Sequence, residues 1–202
     1  MKMIVKKRIS ASLCALLVFL LAATVSGCGG ARTAGAASGG AEAAGGGAES
    51  AGGANAAEEA EAGIDIGQIA PNFTLDLRGG GTVSLWDLRG KPVFLNVSAT
   101  WCPPCQKEFP EVQAAYELYG EDVHFLGVDI GEPESEVDAY FDGFDCDYPM
   151  AYDPSGTISA DYGIEFIPQT WVLDADGVVV DYISGGATLE TFRDSIEKAL
   201  DR

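Results

Sequence analysis

The sequence predicts an α/β domain in which a mixed β-sheet is flanked by helices. The first observation is a strand–helix–strand unit, in which apolar runs at 93–97 and 123–129 enclose an amphipathic helical pattern. A connection of this length implies parallel strands and a right-handed crossover. The second observation is a hairpin, because Asp176-Gly177 lies between strand-like runs at 166–173 and 178–183. A helical pattern then ends the chain.

Shorter patterns complete the predicted domain. They predict, in chain order, strands at 73–77 and 82–85, a helical turn at 86–88, helices at 133–144 and 157–162, and a last helix with an apolar stripe of Leu189, Phe192, Ile196 and Leu200. The glycine-rich turn at 78–81 joins the first two strands into an N-terminal β-hairpin. Thr188 stands where its side chain can cap the last helix.

The N-terminus carries the pattern of an export signal. Four basic residues precede the apolar run at 9–25, and small residues follow. The end of this segment, Val25-Ser26-Gly27-Cys28, resembles the lipobox of bacterial lipoproteins. The resemblance implies a signal peptide over 1–27 and a lipid group on Cys28, while the alternative is an uncleaved membrane anchor. Either way, we expect the domain outside the cytoplasm at the cell membrane, where disulfides persist.

A tether and a folded domain follow the signal. Residues 28–63 consist almost entirely of Gly, Ala, Ser and Glu, a composition that cannot bury enough apolar surface to fold. A flexible segment of about 35 residues has a root-mean-square reach of about 30–35 Å. We therefore expect a lipidated tether over 28–63 and a single folded domain over 64–202.

The charge of the chain excludes one class of partner. The formal net charge is −19, and removal of residues 1–27 takes away four basic residues and leaves a charge near −23. Phosphate binding needs a basic surface, so nucleic acid is a poor partner. We expect a soluble, acidic, monomeric domain held at the membrane by its lipid.

Cys102 and Cys105 form a Cys-x-x-Cys pair where the buried strand passes into the helix. The first helical turn has free N–H groups and a positive dipole end, which stabilise a thiolate and lower its pKa. We therefore expect Cys102 to be exposed and attacking, with Cys105 beneath it as the resolving thiol. The alternative is half of a zinc site, but zinc needs two further ligands, and no second pair of this kind follows. We expect no metal.

Several motifs, taken in order, resemble one known family. They are 95–105 around the two cysteines, Glu108-Phe109-Pro110, Asp153-Pro154, 162–164, Ile167-Pro168-Gln169-Thr170 and 174–177. This set resembles the TlpA/ResA-like thiol–disulfide oxidoreductases over residues 64–202. The resemblance implies the thioredoxin fold, with an N-terminal β-hairpin extension and a central insertion around 131–163.

The resemblance also implies roles for residues around the cysteines. Pro168 would be a cis-proline beside them, and the backbone of Ile167 would pair with a bound substrate. The groove would be flanked by Trp101, with Pro103 and Pro104 between the cysteines. A cis bond is otherwise uncommon before proline, and an edge strand or bulge is the alternative.

Glu108 matches the active-site glutamate of the ResA-like branch. A carboxylate near the cysteines can relay protons, or raise their pKa values by like-charge interaction. The alternative is a solvated glutamate on the helix surface. Asn96 stands where thioredoxin has a buried aspartate, so the proton acceptor would be Glu108 or water. Glu165 and Phe166 also depart from the family pattern, and Cys146 matches no motif.

The predicted activity is reduction of disulfides in exported proteins, without a cofactor beyond the cysteine pair. The resemblance implies a membrane thiol-transfer protein as electron donor and apocytochrome c as one client. Alternatives are an oxidant or isomerase, a thiol peroxidase, or a metal-handling module on the same fold. A peroxidase motif would need Pro and Thr or Ser where Leu95 and Ala99 stand, and a metal-handling module would need a distant His, whereas His124 lies in a predicted strand.

Overall fold

The structure is a computed structural model that describes residues 61–202. Its strands are β1 (Thr74–Leu77), β2 (Thr82–Ser84), β3 (Val93–Ser98), β4 (His124–Ile130), β5 (Met150–Asp153), β6 (Gln169–Leu173) and β7 (Val179–Ser184). Its helices are α1 (Pro103–Tyr119), α2 (Glu134–Phe141), α3 (Thr157–Asp161) and α4 (Leu189–Leu200), with a 3-10 turn at Leu85–Leu88. The predicted order of elements is confirmed, with β5 as an addition.

The strands form one mixed sheet of seven in the order β2-β1-β5-β4-β3-β6-β7. Strands β3, β4 and β5 run parallel, β6 pairs antiparallel with β3, and β7 pairs antiparallel with β6. All residues of β3 are buried because helices cover both faces, which explains why the strand is mostly apolar on both sides. The predicted α/β architecture and the N-terminal hairpin of β1 and β2 are therefore confirmed.

Strand β5 lies in the segment that was expected to be an insertion. It has four residues, all buried, and follows Pro149. It pairs parallel with β4 and antiparallel with β1, so it joins the N-terminal hairpin to the central sheet. The segment after β4 thus adds a strand to the interior of the sheet. The sequence did not predict this strand because a run of four residues is too short to show a period.

Two apolar clusters fill the space between the sheet and its helices. On one face α1, α2 and α4 pack on Phe94, Phe125 and Val172, and the ring of Phe94 meets that of Phe192 edge to face at 5.0 Å. On the other face α3 and the 3-10 turn pack on the alternate residues of the same strands, such as Leu95. Because both faces of the sheet are packed in this way, the start of α1 is held at the carboxyl end of β3.

Some predicted boundaries are wrong by a few residues. Strand β6 begins at Gln169 rather than 166, because Pro168 lacks an N–H and cannot join the ladder. Helix α2 ends at Phe141, two residues before Gly143. Thr188 does occupy the N-cap position of α4, but its side chain makes no capping hydrogen bond.

The predicted signal peptide, Cys28 and the tether up to residue 60 lie outside the described residues. Residues 61–63, which the composition assigns to the tether, contact the folded domain. Ala62 bridges to Ile69, and Ile69 bridges in turn to Val178. Within residues 61–202, no helix is both long and apolar enough to span a bilayer.

Candidate active site

Cys102 and Cys105 lie at the start of α1, directly beyond the carboxyl end of β3, and are joined by a disulfide. Cys102 is the N-cap residue, and its Sγ accepts a hydrogen bond from the backbone N–H of Cys105 at 3.3 Å. Pro103 and Pro104 fill the first two helical positions, where a missing N–H costs little. The sulfur atom of Cys102 therefore lies at the positive end of a 17-residue helix.

The expectation of an exposed Cys102 is wrong in this disulfide-bonded form. Cys102 is 3% exposed and Cys105 is fully buried. The reason is the segment that leads into β6, since the carbonyl oxygen of Ile167 lies 3.8 Å from Sγ of Cys102. The exposed surface next to the disulfide is therefore formed by side chains other than those of the two cysteines.

The peptide bond between Ile167 and Pro168 is cis, as the family resemblance implies. Trp101, directly before the first cysteine, is 62% exposed. Phe166, directly before Ile167, is 51% exposed. The contact between Cys102 and Ile167 brings these two segments together, so exposed aromatic rings belong to both segments that meet at the disulfide.

Glu108 is buried behind the cysteines, with 2% of its surface exposed. Its Oε2 accepts a hydrogen bond from Nδ2 of Asn96 at 3.2 Å, and its Oε1 accepts one from the N–H of Ala187 at 3.1 Å. Burial raises the pKa of Glu108 to about 7, and the two hydrogen bonds oppose that rise. The alternative of a solvated surface glutamate is therefore wrong.

A groove of about 440 Å³ opens beside Glu108. It is lined by Pro104, Lys107, Glu108, Glu111, Gly186, Ala187 and Thr188. Because Glu108 contributes to the wall, its carboxyl group has a route to solvent. A buried acid with a pKa near neutrality and such a route can take up and release protons.

A second acidic pair, Asp129 and Glu132, lies near the loop before Cys102 and belongs to none of the motifs described above. Glu132 accepts hydrogen bonds from the N–H and the hydroxyl of Thr100 at 2.6 and 2.7 Å. The sequence signal that could have revealed this pair is its position at the end of a predicted parallel strand. Polar residues at the carboxyl ends of parallel strands converge on the site at that edge of the sheet.

The remaining candidates lie apart from this arrangement. Cys146 is partly buried, is not disulfide-bonded, and has a pKa raised to about 11 by burial. His124 is the first residue of β4, at the end of that strand opposite the cysteines. Among residues 61–202, no three His, Cys, Asp or Glu side chains are grouped so as to hold a metal ion.

The profile of the AhpC/TSA family matches residues 66–182. The chain belongs to the AhpC/TSA family. Within this AhpC/TSA match lie the cysteine pair, Glu108 and the cis-proline.

Relatives at higher identity are thiol–disulfide oxidoreductases. The thiol-disulfide oxidoreductase ResA of Bacillus anthracis is 35% identical over 136 residues, which are 67% of this chain and 79% of that protein. The ResA of Bacillus subtilis is 32% identical over 141 residues, 69% of this chain and 79% of that protein. This AhpC/TSA chain is therefore a thiol–disulfide oxidoreductase of the ResA type.

Solved structures agree on the fold. A thiol:disulfide interchange protein of the thioredoxin family from Chlorobium tepidum is 30% identical with a TM-score of 0.59, covering 65% of this chain and 95% of its own. The pneumococcal exposed lipoprotein thioredoxin Etrx1 from Streptococcus pneumoniae is 25% identical with a TM-score of 0.58, covering 63% and 99%. The predicted thioredoxin fold is confirmed.

Proposed function

We propose that this protein is a lipid-tethered, extracytoplasmic reductant of disulfides in exported proteins, and that Cys102 and Cys105 carry the exchange. The observation that carries the proposal is the position of Cys102. Its sulfur caps α1 and lies 3.8 Å from the carbonyl oxygen of Ile167, the backbone group at which a client strand would pair. An attacking sulfur at a helix N-terminus has a lowered pKa.

The exchange proceeds in two steps that transfer two electrons. The thiolate of Cys102 attacks one sulfur of a client disulfide, which forms a mixed disulfide and releases one client thiolate. The thiolate of Cys105 then attacks the sulfur of Cys102, which releases the second client thiolate and leaves the Cys102–Cys105 disulfide. The client is reduced and the pair is oxidised.

Neighbouring residues assist each step. Glu108, with a pKa near 7, accepts the proton that Cys105 loses and passes it to the groove. The exposed rings of Trp101 and Phe166 provide apolar contacts for the client chain on either side of its disulfide. Pro103 and Pro104 limit the N–H donors near the sulfur atoms.

The cellular setting of the proposal rests on the N-terminal sequence. The lipobox-like Val25-Ser26-Gly27-Cys28 supports lipidation at Cys28, and the relative from Streptococcus pneumoniae is named an exposed lipoprotein. A membrane thiol-transfer protein would re-reduce the pair. Apocytochrome c is one exported client that suits this chemistry, and no cofactor beyond the cysteine pair is needed.

Reduction of insulin by the full-length protein tests the activity. Pre-reduced protein is expected to reduce insulin disulfides, Cys102→Ser to lose this activity, and Cys105→Ser to accumulate a mixed disulfide that dithiothreitol releases. Cys146→Ser is the matched control and is expected to retain the activity. Persistent insulin reduction by Cys102→Ser would contradict the proposal.

The reduction potential of the pair tests the direction. A value near the roughly −270 mV of thioredoxin would support a reductant, whereas one near the roughly −120 mV of DsbA would indicate an oxidant. Consumption of hydrogen peroxide by the reduced protein tests the peroxidase alternative. We expect no such consumption because Leu95 and Ala99 stand where the peroxidase motif needs Pro and Thr or Ser.

A further inference from the structure

Two buried carboxyl groups lie beneath the loop that leads into Cys102. Asp129, in β4, has no exposed surface, and Glu132, two residues after that strand, is nearly as buried. Neither side chain takes part in the exchange proposed above. Buried acids need partners, so their contacts indicate what they do.

Glu132 holds the loop through Thr100. Its two oxygens accept the backbone N–H of Thr100 at 2.6 Å and the hydroxyl at 2.7 Å. From the other side, Nε2 of Gln106 donates to the carbonyl oxygen of Thr100 at 2.7 Å. Thr100 precedes Cys102 by two residues, so Glu132 fixes the backbone that sets the position of the first cysteine.

Asp129 has no protein donor for either side-chain oxygen, although both are buried. An ionised carboxylate in this position would bear the full cost of desolvation. A proton on Asp129 removes that charge and creates an O–H donor. Glu132 is the other buried carboxyl group at this position and acts on Asp129, so the proton would lie between the two carboxyl groups.

The other elements around Asp129 contribute neutral groups. By register, Ser98 of β3 lies on one side and Tyr152 of β5 on the other, and the hydroxyl of Tyr152 donates to Asp138 on α2. Helix α1 contributes Gln106 to the neighbouring loop, where it bonds to the carbonyl oxygen of Thr100. Glu132 is therefore the charged group that acts on Asp129.

We propose that Asp129 and Glu132 share one proton, and that this pair positions Thr100 and Cys102 for exchange. Burial, the largest cause, together with repulsion from Glu132, raises the pKa of Asp129 to about 8. Below that pH the pair carries one negative charge. Above it both groups are ionised and repel each other, and the contact between Glu132 and Thr100 weakens.

The link to exchange rests on the proposed function, but the proton sharing does not. Asp129→Asn keeps the shape of the side chain and a donor for Glu132 but cannot ionise. The variant is therefore expected to hold the loop in its low-pH arrangement at every pH. Glu108, with a pKa near 7, is a separate group and remains unchanged in it.

The test is the chemical shift of the Thr100 amide, followed by NMR against pH in the full-length, oxidised protein, in which neither Cys102 nor Cys105 titrates. The wild type is expected to show a step near pH 8 that Asp129→Asn loses. In Glu132→Gln the new amide donates to Asp129, so the step should move down by about one pH unit or more. Glu136→Gln removes an exposed acid nearby and should keep the wild-type step.

Two results would overturn the proposal: a Thr100 amide without a step between pH 6 and 9.5, or a step that survives in Asp129→Asn. A parallel measurement addresses the link to exchange. Dithiothreitol reduces the Cys102–Cys105 disulfide, and the rate is measured for the wild type and for Asp129→Asn. The ratio of the wild-type rate to the variant rate is expected to be constant below pH 7 and to change above pH 8. A constant ratio with the expected amide steps would refute only the link to exchange.

Discussion

The side-chain nitrogen of Asn96 lies 3.2 Å from Oε2 of Glu108, and both residues are buried. The same nitrogen donates to Oγ1 of Thr170 at 2.9 Å, so Asn96 ties β3 to both α1 and β6. Because an amide does not titrate, the ionisable group at this position is supplied by the helix rather than by the central strand.

Glu108→Gln is expected to flatten the dependence of stability on pH. Burial raises the pKa of Glu108 from 4.5 to about 7, so the unfolded chain ionises first. Stability that is fully present below pH 4.5 is lost as the pH rises to about 7, by an amount on the order of 3 kcal/mol. Urea unfolding at pH 5 and pH 8 measures this loss.

Glu121→Gln, which removes an exposed acid beyond the end of α1, is the control for that experiment. It should lose as much stability between the two pH values as the wild type. Equal losses in Glu108→Gln and the wild type would show that the carboxyl group of Glu108 ionises normally in the folded protein.

The same substitution is expected to change the thiols of the reduced protein. An ionised Glu108 near the cysteines disfavours a second negative charge, so Glu108→Gln should lower the apparent pKa of the pair. The rate of alkylation by iodoacetamide against pH measures this shift. An unchanged dependence of the alkylation rate on pH would show that Glu108 does not act on the cysteines.

Helix α4 is capped from a neighbouring helix rather than by its own N-cap residue. Oε2 of Glu111 accepts the N–H of Leu189 at 2.9 Å, whereas the hydroxyl of Thr188 lies 3.3 Å from that of Thr191. Glu111→Ala is therefore expected to lower the free energy of unfolding by about 1 kcal/mol, and Thr188→Ala by much less. Urea denaturation gives both values, and the reverse order would refute this assignment.

Asp181 joins β7 to α4. Its Oδ2 accepts hydrogen bonds from Oγ of Ser195 at 2.6 Å and Nζ of Lys198 at 2.7 Å. Burial alone would raise the pKa of Asp181, but hydrogen bonds from Lys198, Ser195 and the N–H of Tyr182 lower it. Its contribution to stability is thus present above pH 3.8 and is lost as the pH falls further.

Asp181→Asn should therefore reduce the free energy of unfolding at pH 7 by about 1–2 kcal/mol. The difference from the wild type should shrink at pH 3. Asp194→Asn, an exposed acid on α4, is the control and should have little effect. Chemical denaturation at both pH values measures the difference, and a constant difference would mean that the ionised form of Asp181 is not the stabilising one.

The exposed rings next to the disulfide give a prediction about clients. Trp101→Ala and Phe166→Ala should raise KM for a protein disulfide by about tenfold each, since a buried aromatic contact contributes 1–2 kcal/mol. Reduction of a small disulfide, such as hydroxyethyl disulfide, should be unchanged because it has no chain to contact these rings. Trp86→Ala, an exposed tryptophan away from the cysteines, is the control. Equal effects on both substrates would indicate a change at the cysteines themselves.

Patterns of local sequence predicted most of this fold. The mostly apolar run of β3, the Asp-Gly turn of the β6–β7 hairpin and the apolar stripe of α4 are each visible in residues that are neighbours along the chain. Strand β5 was missed because four residues carry no period, and because its partners β1 and β4 lie far away in sequence. The capping role predicted for Thr188 is wrong because the N–H of Leu189 bonds instead to Glu111, 78 residues before Leu189.

The candidate site was predictable to a similar degree. The two cysteines and Pro168 were found because the motif and the family resemblance lie within short stretches. The burial of Glu108 depends on Asn96 and Ala187, which approach from β3 and from the loop before α4. The Asp129–Glu132 pair was missed because Glu132 contacts Thr100, which lies 32 residues earlier in the chain. No periodic pattern in the sequence marks such a contact.

The bridge between Ile69 and Val178 attaches the N-terminal segment of the domain to one end of the sheet. This bridge lies at the start of β7, at the same end of the sheet as the start of β3 at Val93, whereas Cys102 follows the opposite end of β3. A pull on the chain that precedes residue 61 would first be borne by hydrogen bonds at this far end, such as that from Gly67 N–H to the carbonyl of Val179. The cysteines, at the opposite end of β3, would therefore keep their geometry under such a pull.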